Sequence, residues 1–360
     1  MIQIDHVHFY VEDAQRWRDW FVNCLGFEVV TGVIFPQLFL KEYSLHTSTE
    51  VVKSGTVYFL LSSPLLPNSP VAKYLHQHPP GVVDVAFTVA NVESFTTKAR
   101  VNGVKILRPV QTISDVKYSQ ISAWGITHTL IERPVVESQV SVTTEQIFAA
   151  IDHVVLNVED GDLESAVRWY EKIFDFQPQQ SFNIQTDRSA LSSQVIISRD
   201  GSVQLPINQP ASANSQIQEF LELNRGAGVQ HIALRTANLV GTIARLRTAG
   251  LSFLPTPQNY YSQLQQRPAF PLSPSELEAI AQQEILVDWQ DPAPQGALLL
   301  QIFTKPIFSQ PTFFFEFIER RAQASGFGEG NFRALFTAME TEQIKRGLGT
   351  GARSWEKHQQ

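Results

Sequence analysis

This chain repeats itself, and the repeat limits what it can fold into. Ile4-Asp5-His6-Val7 returns 147 residues later as Ile151-Asp152-His153-Val154. At the same offset Val11-Glu12-Asp13 returns as Val158-Glu159-Asp160, and Gly81-Val82-Val83-Asp84 lines up with Gly228-Val229-Gln230-His231. Ala90-Asn91 matches Ala237-Asn238, and Gly103 matches Gly250. A register held over about a hundred residues marks two copies of one domain. The length of 360 residues suits two domains at about 150 residues each.

Each copy has the same texture. A short alternating strand opens it, with Val7, Phe9 and Val11 in copy one and Val154, Leu156 and Val158 in copy two. An amphipathic helix follows, carrying Trp17, Trp20 and Phe21 before Gly26, or Ala166, Trp169, Tyr170 and Ile173. Strands, a second helix ending at Gly103 or Gly250, and further strands complete the copy. The pattern predicts an α+β protein with two tandem duplicated domains of strand–helix–strands modules in curved, mostly antiparallel sheets. We place the first domain at 1–140, the second at 150–325, and a C-terminal helix and tail at 326–360. Copy two carries an insertion between Pro255 and Pro294 that copy one lacks. It includes Asn259-Tyr260-Tyr261 and a helical stretch near Pro274–Glu284. Past it, Ile318-Glu319-Arg320 echoes Ile131-Glu132-Arg133 at an offset of 187, so the net gain is 40 residues. The tail, with a helical run from about Asn331 to Lys345, has no counterpart in copy one.

Composition excludes several classes. With 43% apolar and 18% charged residues the chain is an ordinary globular one. The net charge of −7 and the lack of a basic stripe argue against a nucleic-acid partner. Cys24 is the single cysteine, which removes an internal disulfide, a thiolate-only zinc site and a cysteine-held iron–sulfur cluster. No leader pattern follows Met1, and the apolar run around Ala297–Leu300 is too short to span a bilayer. The expectation is a cytoplasmic protein with no membrane partner.

The chemistry points to copy two. His153 and His231 occupy corresponding strand positions, and Glu316 sits inside Phe313-Phe314-Phe315-Glu316-Phe317-Ile318. A carboxylate among apolar neighbours is costly to bury unless a cation compensates it. Alternation puts Glu316 on one face with Phe314 and Ile318. Two histidines and one carboxylate from three strands form the facial set that binds Fe(II) and leaves positions open. The plainer readings are hydrogen-bonded core histidines and an ion pair of Glu316 with Arg320 or Arg321. Copy one tips the balance: it keeps His6 but has Asp84 and Thr129 at the other two positions, as if one duplicated site had been lost. His46, His76, His78, His128 and His358 lack partners at a metal-binding spacing, and His76 and His78 read as surface residues. Around the three lie Ser193, Asn208, Gln216, Gln230 and Gln301, which either orient a substrate or decorate the surface. Alternation turns Gln230 away from His231's face unless a bulge intervenes. Phe303, Phe314, Phe327 and Phe332 either stack on an aromatic ring or simply pack the core.

Taken together, Ile151–Val155, Leu205-Pro206-Ile207-Asn208, Ser215–Gln218, Gly226–His231, Leu299–Pro306 and Gly326–Phe332 carry a resemblance over nearly the whole chain. The chain resembles the 4-hydroxyphenylpyruvate dioxygenase family of the vicinal-oxygen-chelate superfamily. The resemblance implies His153, His231 and Glu316 as Fe(II) ligands, with Gln301 beside them as a catalytic residue. It implies Ser193, Asn208, Gln216, Gln230 and Gln301 as hydrogen-bonding pocket residues. It implies Phe303 and Phe314 shaping the pocket, Phe327 and Phe332 packing on the substrate ring, and the final helix gating access. The implied reaction takes 4-hydroxyphenylpyruvate and O2 to homogentisate and CO2 by oxidative decarboxylation, ring hydroxylation and side-chain migration, in a homodimer or homotetramer. Rival readings are 4-hydroxymandelate synthase, an extradiol dioxygenase, and a non-catalytic small-molecule binder on the same fold.

Overall fold

The computed structural model describes residues 2–30, 45–113, 115–134, 146–257, 259–289 and 297–351. Copy one forms β1 (Gln3–Tyr10), β2 (Glu28–Val29), β3 (Thr47–Ser54), β4 (Val57–Pro64), β5 (Gly81–Thr88), β6 (Ile106–Ile113), β7 (Val116–Ser122) and β8 (Thr127–Glu132). Copy two forms β9 (Ala150–Asn157), β10 (Gln177–Gln185), β11 (Ala190–Ile197), β12 (Gln204–Pro210), β13 (Gly228–Arg235), β14 (Leu286–Asp288), β15 (Leu298–Phe303) and β16 (Phe314–Arg321). The two sheets have the same order, β2-β3-β4-β1-β5-β8-β7-β6 and β10-β11-β12-β9-β13-β16-β15-β14. Within each, an antiparallel pair (β1 with β5, β9 with β13) is flanked by parallel joins (β4 and β8, β12 and β16), and the remaining ladders are antiparallel. A sheet is therefore two strand–helix–three-strand modules set side by side, so the chain holds four modules.

Helices follow the capping signals. In copy one, α1 (Ala14–Leu25) starts where the Asp13 carboxylate accepts from Arg16 N and stops at left-handed Gly26. Then come α2 (Pro70–Gln77) and α3 (Val92–Val101). Copy two has α4 (Leu163–Phe174), α5 (Gln216–Asn224) and α6 (Leu239–Thr248). Its insertion adds α7 (Tyr260–Leu264) and α8 (Pro274–Gln282), and the tail folds as α9 (Glu329–Gly351), longer than the sequence pattern indicated. The expected boundary at residue 140, the insertion's end at Pro294, and His358 lie outside the described residues.

Alternation along β16 sorts two environments. Phe313, just ahead of the strand, and Phe315 and Phe317 within it turn toward copy one and are fully buried. Their rings meet Phe9 at 5.2 Å, Phe21 at 5.9 Å and Phe148 at 5.3 Å. Phe314, Glu316 and Ile318 turn the other way, into copy two's own interior. The aromatic wall on one face thus fixes the strand that presents Glu316 on the other.

Copy one also grips the segment that leads into His231. Asn224 O accepts from His78 Nδ1 at 2.7 Å, and Arg225 donates to His76 O and Gln77 O, the last carbonyls of α2. His78 is thus half-buried between the copies rather than a surface residue, and only His76 is exposed. Gly125 has φ +72°, and a Cβ there would lie 1.9 Å from Ala227 O. Gly125→Ala is expected to destabilise the chain by about 1–3 kcal/mol, from left-handed strain plus displacement of Ala227. Urea unfolding reads this, and an unchanged midpoint would mean that the contact yields freely.

Candidate metal centre

Three neighbouring strands bring three candidate ligands together. His153 projects from β9, His231 from β13 and Glu316 from β16, and the β-ladders set Ala233 opposite both His153 and Glu316. Their ligand atoms all lie within 4.8 Å of one another. His153 Nε2 is 3.1 Å and His231 Nε2 3.5 Å from Glu316 Oε2. No other group of three or more His, Cys, Asp or Glu side chains converges in this way among the described residues. Glu316 does not pair with the arginines: Arg320 bonds to Asp152, and Arg321 to Glu319 and Glu276. The ion-pair alternative therefore fails on geometry.

Each histidine is oriented from behind. His153 Nδ1 donates to Asp152 Oδ1 at 3.0 Å, which leaves Nε2 as the ligand nitrogen. Asp152 is fully buried and takes Arg235 and Arg320, whose guanidinium donates to both of its oxygens at 2.7 and 2.8 Å. Burial opposes that carboxylate's charge, yet the hydrogen bonds from Arg320 and His153 hold it well below its usual range. Among the described residues, His231 Nδ1 has only the neutral Gln230 amide, 3.4 Å away. The two adjacent residues can meet because the β9–β13 register shifts between Val229 and His231. That irregularity is the bulge the alternation required, and it gives Gln230 a place behind its neighbour.

The electrostatics are those of a metal site holding a proton. Burial works against ionised Glu316, but His153 and His231 bring its carboxyl down to about 2. Burial likewise works against cationic His153, while Glu316 and Asp152 push it up to about 9. His231 is pushed down, chiefly by burial. Two imidazoles and one ionised carboxylate on a shared point are the donor set of a 2-His-1-carboxylate centre.

A small enclosed cavity opens on this centre. His153, Val155, Pro206, His231, Gln301, Phe303, Glu316, Phe327, Phe332 and Leu335 line it, the last two from α9. Gln301 donates through Nε2 to Glu316 Oε1 at 2.9 Å. Phe314 stacks on the His231 ring at 4.6 Å and faces an adjoining cavity with Gln216 and Gln230. Ser193 and Asn208 lie opposite one another on β11 and β12, two residues along from Pro206. Beside Asn208 is Asn157, a residue the sequence reading missed, on the face of β9 shared with His153 and Val155. Its signal was a lone asparagine ending an apolar run, four residues after His153 and so on the same face of the strand. Also missed were Asp152, Arg320, Tyr260 and Asn331.

Copy one keeps the orienting shell without the centre. His6 Nδ1 is 2.8 Å from Asp5 Oδ1, and Arg133 forks onto Asp5 as Arg320 does onto Asp152. Asp84, however, accepts from Thr127 Oγ1 and Thr129 N, so the ligand positions tie β5 to β8 instead. His128 is buried and bonded to Val85 O and to Tyr170 OH of copy two.

The duplicated fold and the His-His-Glu site define the class, and comparison with known proteins agrees. The profile of the Glyoxalase/Bleomycin resistance protein/Dioxygenase superfamily matches residues 3–119 and 150–267, one stretch in each copy. The chain is 34% identical to 4-hydroxyphenylpyruvate dioxygenase of Caenorhabditis elegans, covering 96% of this chain and 93% of that one. It is 36% identical to the enzyme of Coccidioides posadasii, covering 95% and 93%. A mutant of 4-hydroxymandelate synthase from Streptomyces coelicolor superposes with a TM-score of 0.80 at 27% identity, over 95% of this chain and 98% of that one. The chain belongs to this superfamily and, within it, to the 4-hydroxyphenylpyruvate dioxygenase family.

Three outcomes test the centre. A metal must displace the His153 proton, so Co(II) affinity should climb by up to about tenfold per pH unit toward pH 9 and then level off. Affinity independent of pH between 7 and 9 would contradict the assignment. In the metal-free chain the sign reverses: the stabilisation from cationic His153 is complete below 6.5 and is lost as pH rises through about 9. Asp152→Asn keeps the shape but removes the charge behind His153, and should weaken metal binding about 10- to 100-fold by titration.

Proposed function

We propose that the chain is an Fe(II)-dependent dioxygenase that converts 4-hydroxyphenylpyruvate and O2 to homogentisate and CO2. One observation carries the reading from family to substrate. On β11, β12 and β9 the neighbouring Ser193 Oγ, Asn208 Oδ1 and Asn157 Nδ2 are buried without a hydrogen-bond partner among the described residues, as is Gln216 Oε1 in the adjoining cavity. Each buried unsatisfied atom costs about 1–3 kcal/mol, so a polar group of a ligand is the natural compensation. A free amide donor on Asn157 beside a free acceptor on Asn208 suits a hydroxyl, which accepts from one and donates to the other. His153 and Asn157 are four residues apart on β9, about 13 Å along the strand, which leaves room for an aromatic ring between metal and polar end.

When bound, the metal supplies the anchor for a 2-oxo acid and the activation of O2. The chain's own residues do the rest. Ser193, Asn157, Asn208 and Gln216 hold the phenol end. Phe327, Phe332, Leu335, Pro206 and Val155 keep water from the ring, and Phe303 and Phe314 shape the walls. Gln230 backs His231, and Gln301 fixes Glu316. α9 closes the cavity with Phe332 and Leu335, so substrate entry requires the helix to swing aside. No described helix is long and apolar enough to cross a membrane. A homodimer or homotetramer in the cytoplasm completes the proposal, its assembly readable by light scattering.

Oxygen uptake by the Fe(II)-loaded chain given 4-hydroxyphenylpyruvate, with the product identified by mass, tests the reaction. Homogentisate with equimolar CO2 is expected. 4-Hydroxymandelate would move the chain to the sister reaction, and no uptake would refute both. For the pocket, Asn208→Ala should lower kcat/KM about 10- to 100-fold for 4-hydroxyphenylpyruvate and far less for phenylpyruvate, which lacks the hydroxyl. Equal losses on both substrates would remove Asn208 from hydroxyl recognition.

A further inference from the structure

The insertion that copy one lacks reaches the metal centre through a chain of hydrogen bonds. Tyr260, at the start of α7, donates its hydroxyl to Asn331 Oδ1 at 2.9 Å. Asn331 Nδ2 donates to Gln301 Oε1 at 2.8 Å, and Gln301 Nε2 donates to Glu316 Oε1 at 2.9 Å. Glu316 meets His153 and His231 through its other oxygen, Oε2. All of these groups are buried except Tyr260, which is half-buried.

The direction of the chain follows from its end. An ionised carboxylate only accepts, and so does Phe327 O, the second partner of Gln301 Nε2 at 3.2 Å. Gln301 must therefore turn its amide nitrogen toward Glu316 and its oxygen toward Asn331. Asn331 must then give its nitrogen to Gln301 and its oxygen to a donor. The Tyr260 hydroxyl is that donor, its single proton shared between Asn331 Oδ1 and Val287 O, 3.0 Å away, and burial keeps it protonated by pushing its pKa well above the usual phenol range. Val287 N donates to the same hydroxyl at 2.8 Å and sets its position from β14. Gly328, at φ +71°, lets the entry to α9 come close, since a Cβ there would lie 2.3 Å from Gln301 Oε1.

We propose that Tyr260 is a positioning residue of the metal centre. Through Asn331 and Gln301 it holds the outer oxygen of Glu316, so that the inner oxygen alone faces the two histidines. Asn331 lies in the first turn of α9, so the same relay makes the ligand carboxylate's hydrogen bond conditional on that helix being docked. Aligned donors polarise one another, which makes the relay more than a set of separate contacts. The proposal rests on the metal reading of His153, His231 and Glu316.

The test uses Co(II) as the probe in the full chain. Tyr260→Phe keeps the ring and removes the donor. It should weaken Co(II) affinity about 10-fold, the low end for outer-shell partners, and shift the visible Co(II) absorption by loosening the carboxylate. In an Asn331→Ala background, where the relay is already cut, Tyr260→Phe should add little to either effect. An unchanged spectrum and affinity for Tyr260→Phe, or effects that add in the double variant, would overturn the relay while leaving the metal centre intact. A parent chain that takes up no Co(II) would overturn the centre and the relay together.

Discussion

Two buried carboxylates at the candidate centre, Asp152 and Glu316, are held ionised, and its arrangement depends on how. Asp152 and Glu316 lie in an interior that penalises charge, and each is held by donors placed against it: Arg320, Arg235 and His153 around Asp152, His153 and the His231 imidazole around Glu316. His153 is common to both sets. Its imidazole sits between the two carboxylates, pinned at Nδ1 by one and aimed at Nε2 toward the other. Removing either acid leaves a buried cation without its counterion, a costly change in a low-dielectric site. Arg320 also bonds to Ala324 O and Gly326 O, the carbonyls that precede α9. The residue that keeps Asp152 charged thus places the helix that covers the pocket.

Duplication explains why half the chain carries no metal ligands and yet matters to the centre. Copy one retains the Asp5–His6–Arg133 device, the counterpart of Asp152–His153–Arg320, as a stabilising ion network. Where copy two has His231 and Glu316, copy one has Asp84 and Thr129, which join strands. Freed from the chemistry, copy one serves as the wall against which β16 packs its phenylalanines and as the clamp on Asn224–Ala227. Copy two took the opposite course and acquired the insertion and α9 around its pocket.

Much of this was legible in the sequence. The repeat fixed the number of domain copies, because a register of 147 residues admits one fold used twice. His153, His231 and Glu316 could be picked out because a histidine at matched positions and a glutamate among phenylalanines have no ordinary structural reason to recur. Partnerships across long separations were not legible. Arg320 reads as one of two consecutive arginines, and only the parallel pairing of β13 with β16 brings it to Asp152, 168 residues away in sequence. Gln230 was ambiguous because a bulge leaves no mark in residue type. Tyr260 and Asn331 lie in segments without a repeat partner, so no comparison between copies could single them out.

With one set of candidate ligands intact, a chain built twice should hold one metal, at the His-His-Glu centre of copy two. Anaerobic titration with Fe(II), followed by metal analysis of the desalted protein, measures this directly. One iron per chain is expected, falling to none in Glu316→Ala while His6→Ala still holds one. Two irons per chain, or one that survives the loss of Glu316, would contradict it.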